Sequence, residues 1–186
     1  MMVPTARTFR SGGPVTTIVL GPRPPELEAL LERRRLLGQD SRDEVWEGSY
    51  VMAPDGTVGH SALRSEVGAL LREVGRAQGL MTVSSLNLGG PDDYRIPDGA
   101  LLERGPSSTY RETAVLVVEV LSPDDESLSK VSFYTAHGVR ELLVVDGGAR
   151  TVRCLALQDG QVERDRSDVL GLEMRDIVAH IDWPEG

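Results

Sequence analysis

Apolar side chains recur along this chain in two rhythms. Leu63, Val67, Leu70, Leu71 and Val74 fall at intervals of three and four, which places them on one helical face and predicts a helix ending at Gly79. Leu27, Leu30 and Leu31 repeat that rhythm briefly after Pro24-Pro25, predicting a short helix with Gly38 as its stop. The other segments read as strands. Asp43–Trp46 and Ser49–Met52 flank Glu47-Gly48, the spacing of a tight hairpin. Leu80–Leu88 reads as one strand whose alternation breaks at Ser84-Ser85, as at a bulge. A turn at Gly89–Asp93 leads into Tyr94–Leu102, a strand in which Pro97 marks an edge or an irregular start. After a polar loop at 104–112 come an apolar strand around Val117, a short helix from Leu128 to His137, and a strand at Glu141–Val145. A hairpin of Thr151–Leu157 with Gln161–Arg164 and a short helix within Val169–Ile181 complete the order.

That order predicts an α+β (mixed α/β) fold, a central mixed sheet flanked by helices with hairpins toward both ends. Residues 24–186 read as a single domain, and the Pro/Gly/Thr-rich residues 1–23 as an extended arm. Only 4% of residues are aromatic, so valine and leucine must fill the core. No apolar run approaches the ~20 residues a membrane-spanning helix needs, and no apolar segment follows Arg7 and Arg10 as in a signal peptide. The single cysteine, Cys154, excludes an intramolecular disulfide and a cysteine-rich zinc site, and fits a reducing cytoplasm. A net charge of −9 argues against constitutive electrostatic binding of nucleic acid. It leaves room for an enzyme whose local field is reversed by a bound metal and a few arginines.

Three residues then stand out. Lysine and arginine together number 20, yet only one is a lysine, Lys130. An ammonium can shift its pKa and handle protons in ways a guanidinium cannot. Just before it, Glu119 interrupts Ala114–Leu121, an otherwise apolar run, and its side chain points opposite to those of Val118 and Val120, toward a cavity or toward solvent. A carboxylate on a closed face is costly unless paired or metal-bound. Asp98, in Ile96-Pro97-Asp98, is a turn former or a site residue, 21 positions before Glu119 on what reads as a neighbouring strand. Two carboxylates meeting at a sheet edge repel, and a hard divalent cation such as magnesium resolves the repulsion through oxygen ligands. Lys130 is the lysine available to orient an attacking water and stabilise charge on phosphorus.

Pro97-Asp98, Glu119 within Val118–Pro123, and Lys130 resemble the Uma2 family of restriction-endonuclease-like proteins, in the PD-(D/E)XK nuclease superfamily. Asp43–Pro54, His60, Phe133–Val139 and Leu142–Asp146 extend the likeness over roughly residues 24–184. The resemblance implies a restriction-endonuclease-like fold and a magnesium-dependent endonuclease, manganese substituting, that hydrolyses DNA phosphodiester bonds. It makes Asp98 and Glu119 metal ligands, places Lys130 on the helix after the acid, and makes Glu44 a third metal or water ligand, with Glu47 competing. Position 121 is leucine, so the superfamily's E-x-K is absent. His60, Tyr134 and Ser122 are supporting candidates whose bland, structural reading is favoured, while Arg95 and Arg33–Arg35 are expected to contact phosphates. A homodimer would provide two sites for two strands. The competing readings are a non-catalytic module on the nuclease scaffold and a hydrolase of small phosphodiesters.

Overall fold

A computed structural model describes residues 7–8, 17–19, 25–53, 56–122 and 127–185; most of the expected N-terminal arm lies outside them. The elements run β1 (Arg7–Thr8), β2 (Thr17–Val19), α1 (Pro25–Leu36), β3 (Glu44–Trp46), β4 (Ser49–Met52) and α2 (Val58–Ala77). Then follow β5 (Met81–Val83), β6 (Asn87–Gly90), β7 (Asp93–Arg95), β8 (Gly99–Leu102), β9 (Tyr110–Arg111) and β10 (Leu116–Val120). A 3-10 turn over Ser127–Lys130 leads directly into α3 (Val131–Ala136), followed by β11 (Glu141–Asp146), β12 (Thr151–Ala156) and β13 (Val162–Arg164). β14 (Arg166–Ser167), β15 (Leu172–Glu173) and α4 (Met174–His180) close the order.

The strands divide between two principal sheets. One runs β13-β12-β11-β10-β8-β5 and is mixed, with β10 and β11 parallel and its other pairs antiparallel; the other runs β1-β2-β4-β3-β7-β6-β9. Two segments that read as single strands in the sequence each split between these sheets. Ser84-Ser85 is the crossing from β5 to β6 rather than a bulge, and Ile96-Pro97-Asp98 is the crossing from β7 to β8. Proline lacks the N–H a ladder needs, so the chain changes sheets where pairing is already interrupted. Gly89 and Gly90 belong to β6, and the turn falls at Pro91-Asp92.

The mixed sheet is covered on both faces. Leu63, Val67 and Leu71 of α2 pack with Val118, Val120, Leu143 and Ile177 on one face. Phe133 and Tyr134 of α3 pack with Leu88, Val117 and Val144 on the other. Alternation along β10 therefore sends Val118 and Val120 toward α2 and leaves Glu119 on the α3 side. Helix α2 starts at Thr57, whose hydroxyl accepts from the His60 N–H, and so fixes His60 on its first turn. Between β3 and β4, Glu47 (φ 48°) and Gly48 (φ 80°) both adopt left-handed backbone, the primed turn that matches strand twist. Helix α1 departs from the expected pattern: Leu31 is buried, whereas Leu30 is 46% exposed.

The β6–β7 hairpin and α3 meet closely at Gly89. Its backbone is left-handed (φ 117°), and a Cβ there would sit 2.3 Å from the Asp93 carbonyl oxygen and 2.9 Å from the Phe133 ring. Gly89→Ala is expected to destabilise the fold by about 2–4 kcal/mol, since backbone strain and overpacking coincide. Urea unfolding measures this, and a midpoint unchanged from the parent protein would refute the close approach.

Candidate active site

Asp98 stands where the chain has just changed sheets. Its N–H donates to the Val118 carbonyl at 2.9 Å, and its carboxylate Oδ2 accepts from the Val120 N–H at 2.9 Å, pinning the acid to the end of β10. Arg42 Nη2 donates to Oδ1 at 2.6 Å, and Arg64 Nε lies 3.3 Å from the same oxygen. His60 Nε2 lies 3.2 Å from Oδ2 and 3.1 Å from the Val120 carbonyl. Both neighbours are acceptors, so Nε2 carries the proton. Burial pushes the Asp98 carboxyl up, but His60, the Val120 N–H and Arg42 outweigh it and hold the acid well below the usual carboxylate range.

Glu119, Lys130 and Glu44 form the adjoining half. The Lys130 ammonium lies 2.9 Å from Glu44 Oε1 and 3.4 Å from Glu119 Oε1, and the Tyr134 hydroxyl donates to that same Glu119 oxygen. Glu44 Oε1 also accepts from the Ile96 N–H at 2.7 Å, and Oε2 accepts from the Trp46 indole N–H at 2.6 Å. These groups come from β3, β10 and the turn entering α3, so tertiary packing assembles them. Burial lowers the affinity of Lys130 for its proton, but Glu119 and Glu44 more than reverse this and hold it firmly protonated. Glu119 is pushed up to about 7: burial is the largest cause, Lys130 opposes it, and the charge of Asp98 adds to it. Burial and the Glu119 charge also raise the Tyr134 phenol, which stays a neutral donor.

Glu44, Glu119 and Lys130 are thus brought together, with Asp98 adjoining. Glu44 meets Lys130 and two N–H donors, and no three His, Cys, Asp or Glu side chains among the described residues form a metal-holding group. Glu44, the expected third metal or water ligand, thus lies against the ammonium. Asp98 and Glu119 offer hard carboxylate oxygens, and the charge of Asp98 reaches Glu119. That donor set fits magnesium, which needs only one or two protein carboxylates and completes its shell with water and substrate oxygens. Glu47 lies exposed in the hairpin turn, its N–H donating to Asp93 Oδ1 at 3.0 Å. His60 and Tyr134 touch the carboxylates directly.

The arginines are distributed differently from expectation. Arg95 is 5% exposed, its guanidinium 4.7 Å over the Trp46 ring and 4.2 Å over the Phe133 ring, so it does not face a phosphate backbone. Arg34 pairs with buried Asp43 at 2.9 Å, while Arg33 and Arg35 are exposed on α1. The residues absent from the sequence reading are Arg42 and Arg64. Arg64 lies four residues after His60 on α2, a spacing that puts both on one face and was available as a signal. Arg42 lies in the segment between α1 and β3 and carries no local signature.

A family model described as "Uma2: Putative restriction endonuclease" matches residues 25–177. Among solved structures, a "putative nuclease belonging to DUF820" from Anabaena variabilis superposes with a TM-score of 0.62 at 19% identity, covering 76% of this chain and 92% of that one. This likeness shows the restriction-endonuclease-like fold. A DrdV–DNA complex aligns with a TM-score of only 0.39 at 16% identity, covering 70% of this chain and 12% of that one, too little to carry an argument. No curated protein matches the chain.

The raised Glu119 carboxyl makes folding pH-dependent in a defined sense. A group whose folded pKa lies above its unfolded value stabilises the fold below the unfolded value, about 4.3 for glutamate, and loses that contribution as pH rises through the folded value. Glu119→Gln is therefore expected to raise the melting temperature, relative to the parent, more at pH 8 than at pH 5 in metal-free buffer. Calorimetric melts at the two pH values check this; an equal difference at both would contradict the raised carboxyl.

Proposed function

This chain belongs to the Uma2 family, and on that premise we propose that it is a metal-dependent endonuclease hydrolysing DNA phosphodiester bonds. The observation that carries the reading is the buried ammonium of Lys130 set between Glu44 and Glu119. A surface lysine has no need of two buried carboxylates, and a structural ion pair is more simply replaced by apolar packing.

In this reading Asp98 and Glu119 hold magnesium, or manganese in its place. Once bound, the ion supplies Lewis acidity at the phosphodiester and lowers the pKa of water. Lys130, kept protonated by Glu44 and Glu119, orients the attacking water and neutralises charge building on the phosphoryl oxygens. Glu44 limits the travel of that ammonium through its contacts with Ile96 and Trp46. Tyr134 fixes the rotamer of Glu119 by donating to Oε1. His60, Arg42 and Arg64 keep Asp98 ionised. Exposed Arg33 and Arg35 remain candidates for phosphate contact, and a homodimer would bring a second centre to the opposite strand.

One observation favours the second reading, a non-catalytic module on this scaffold. Arg42 already occupies Oδ1 of Asp98 at 2.6 Å, so a cation must share or displace a partly buried guanidinium. Supercoiled plasmid, incubated with magnesium or manganese and the parent protein, Lys130→Ala or Asp98→Asn, separates the two. The nuclease reading expects nicking by the parent, a loss of about 10²–10³-fold in Lys130→Ala, and no calorimetric magnesium binding by Asp98→Asn. Cleavage persisting unchanged in both variants, or absent from a folded parent protein, overturns it. Circular dichroism accompanies each assay, because removing the ammonium strands two buried carboxylates at a cost of about 3–5 kcal/mol.

A further inference from the structure

A cavity of about 560 Å³ is lined by residues of the β3–β4 hairpin, β7 and α3. Its lining includes Trp46, Asp93, Arg95, Ser132, Phe133 and His137. It shares a wall with the candidate active site, because Trp46 both lines the cavity and donates its indole N–H to Glu44. Ser132 follows Lys130 by two residues and stands exposed on α3.

Four of these groups form a continuous stack. The Arg95 guanidinium lies over both the Trp46 and the Phe133 rings, and His137 stacks on Phe133 with centroids 3.9 Å apart and planes 28° apart. Held between rings, a guanidinium directs its donors along its edges. Nη1 donates to the Val45 carbonyl at 2.7 Å, to Asp93 Oδ1 at 2.7 Å and to the Tyr94 carbonyl at 3.2 Å. Nε is buried without a partner. Among the described residues Nη2 makes no hydrogen bond, so it is the nitrogen through which this nearly buried cation can address a ligand. Asp93 spends Oδ1 on Arg95 and on the Glu47 N–H, while its side chain remains 41% exposed.

We propose that this cavity is a nucleobase subsite, taking a base beside the cleaved phosphodiester. This deepens the nuclease reading. The lining pairs an arginine donor with a carboxylate acceptor, and the Trp46 and His137 rings that end the stack also border it, which suits a planar heterocycle bearing acceptors and donors on one edge. A bare phosphate fits worse, because the Arg95 charge is already met by Asp93 and a second carboxylate, Glu47, also lines the space. The volume falls within the range of ordinary small-molecule pockets. A base inside a duplex stack cannot reach such a cavity, so the occupant is an unpaired or extruded base.

Trp46 reports occupancy directly, since the chain has two tryptophans and Trp183→Phe leaves only this one. In that background and without metal, deoxyguanosine and deoxycytidine monophosphates are titrated beside deoxyribose 5-phosphate. The expected result is saturable quenching by the nucleotides, with the base-free sugar phosphate at least tenfold weaker. Ser132→Leu fills the cavity from the exposed side of α3 and abolishes the quenching, whereas Asp98→Asn retains it. Equal binding of the base-free compound, no saturable quenching, or quenching undiminished in folded Ser132→Leu overturns the proposal. Plasmid cleavage read in parallel separates the two ideas. Nucleotide binding without cleavage by any preparation removes the nuclease reading and leaves the subsite; cleavage without nucleotide binding removes the subsite alone.

Discussion

Burying carboxylates at one end of a small mixed sheet is the constraint that organises this protein. Glu44, Asp98 and Glu119 are each 5% exposed or less, so water cannot do the solvating and the protein itself must. Lys130 answers for Glu44 and Glu119, and Arg42, Arg64 and His60 answer for Asp98. The settlement is uneven. Asp98 is overcompensated and stays ionised far into acid, whereas Glu119 is undercompensated and hovers near neutrality. The site thus holds one fixed and one pliant carboxylate.

That electrostatic demand explains features of the architecture that are otherwise arbitrary. The chain changes sheets at Ile96-Pro97-Asp98, which places Asp98 against β10 while the Ile96 N–H remains within reach of Glu44. The alternation of β10 sends its valines into the α2 core and its single acid toward α3. Helix α2 contributes His60 and Arg64 from its polar side while Leu63, Val67 and Leu71 hold it to the sheet. The apolar layers thus set the positions of polar groups whose mutual attraction alone would not order them.

Much of this was legible in the residues. The helical period of α2, the Glu47-Gly48 hairpin and the anomalous acid in β10 are local signals, and each reflects a short-range rule of backbone or burial. The lone lysine was visible because composition made it so. Two kinds of fact were hidden. Ser84-Ser85 and Pro97 announced interruptions, but whether a strand bulges or crosses to another sheet depends on partners far along the chain. The partners of charged groups were equally non-local: Arg42 lies 56 positions from Asp98, and Arg95, read as a surface contact, is stacked inside. Glu44 was picked out by family resemblance, and packing then gave it a partner that the resemblance did not specify.

The leucine at position 121 changes what kind of object the site is. Where a lysine sits two residues beyond the acid on one strand, covalent geometry sets their separation, and it survives as long as the strand does. Here the ammonium arrives from the start of α3, and its 3.4 Å approach to Glu119 is maintained by Phe133, Tyr134 and Val139 seated in the core. The separation is a property of packing, with the cooperativity that packing has. When α3 lifts, the ammonium leaves with it, and Glu44 and Glu119 lose the cation they share.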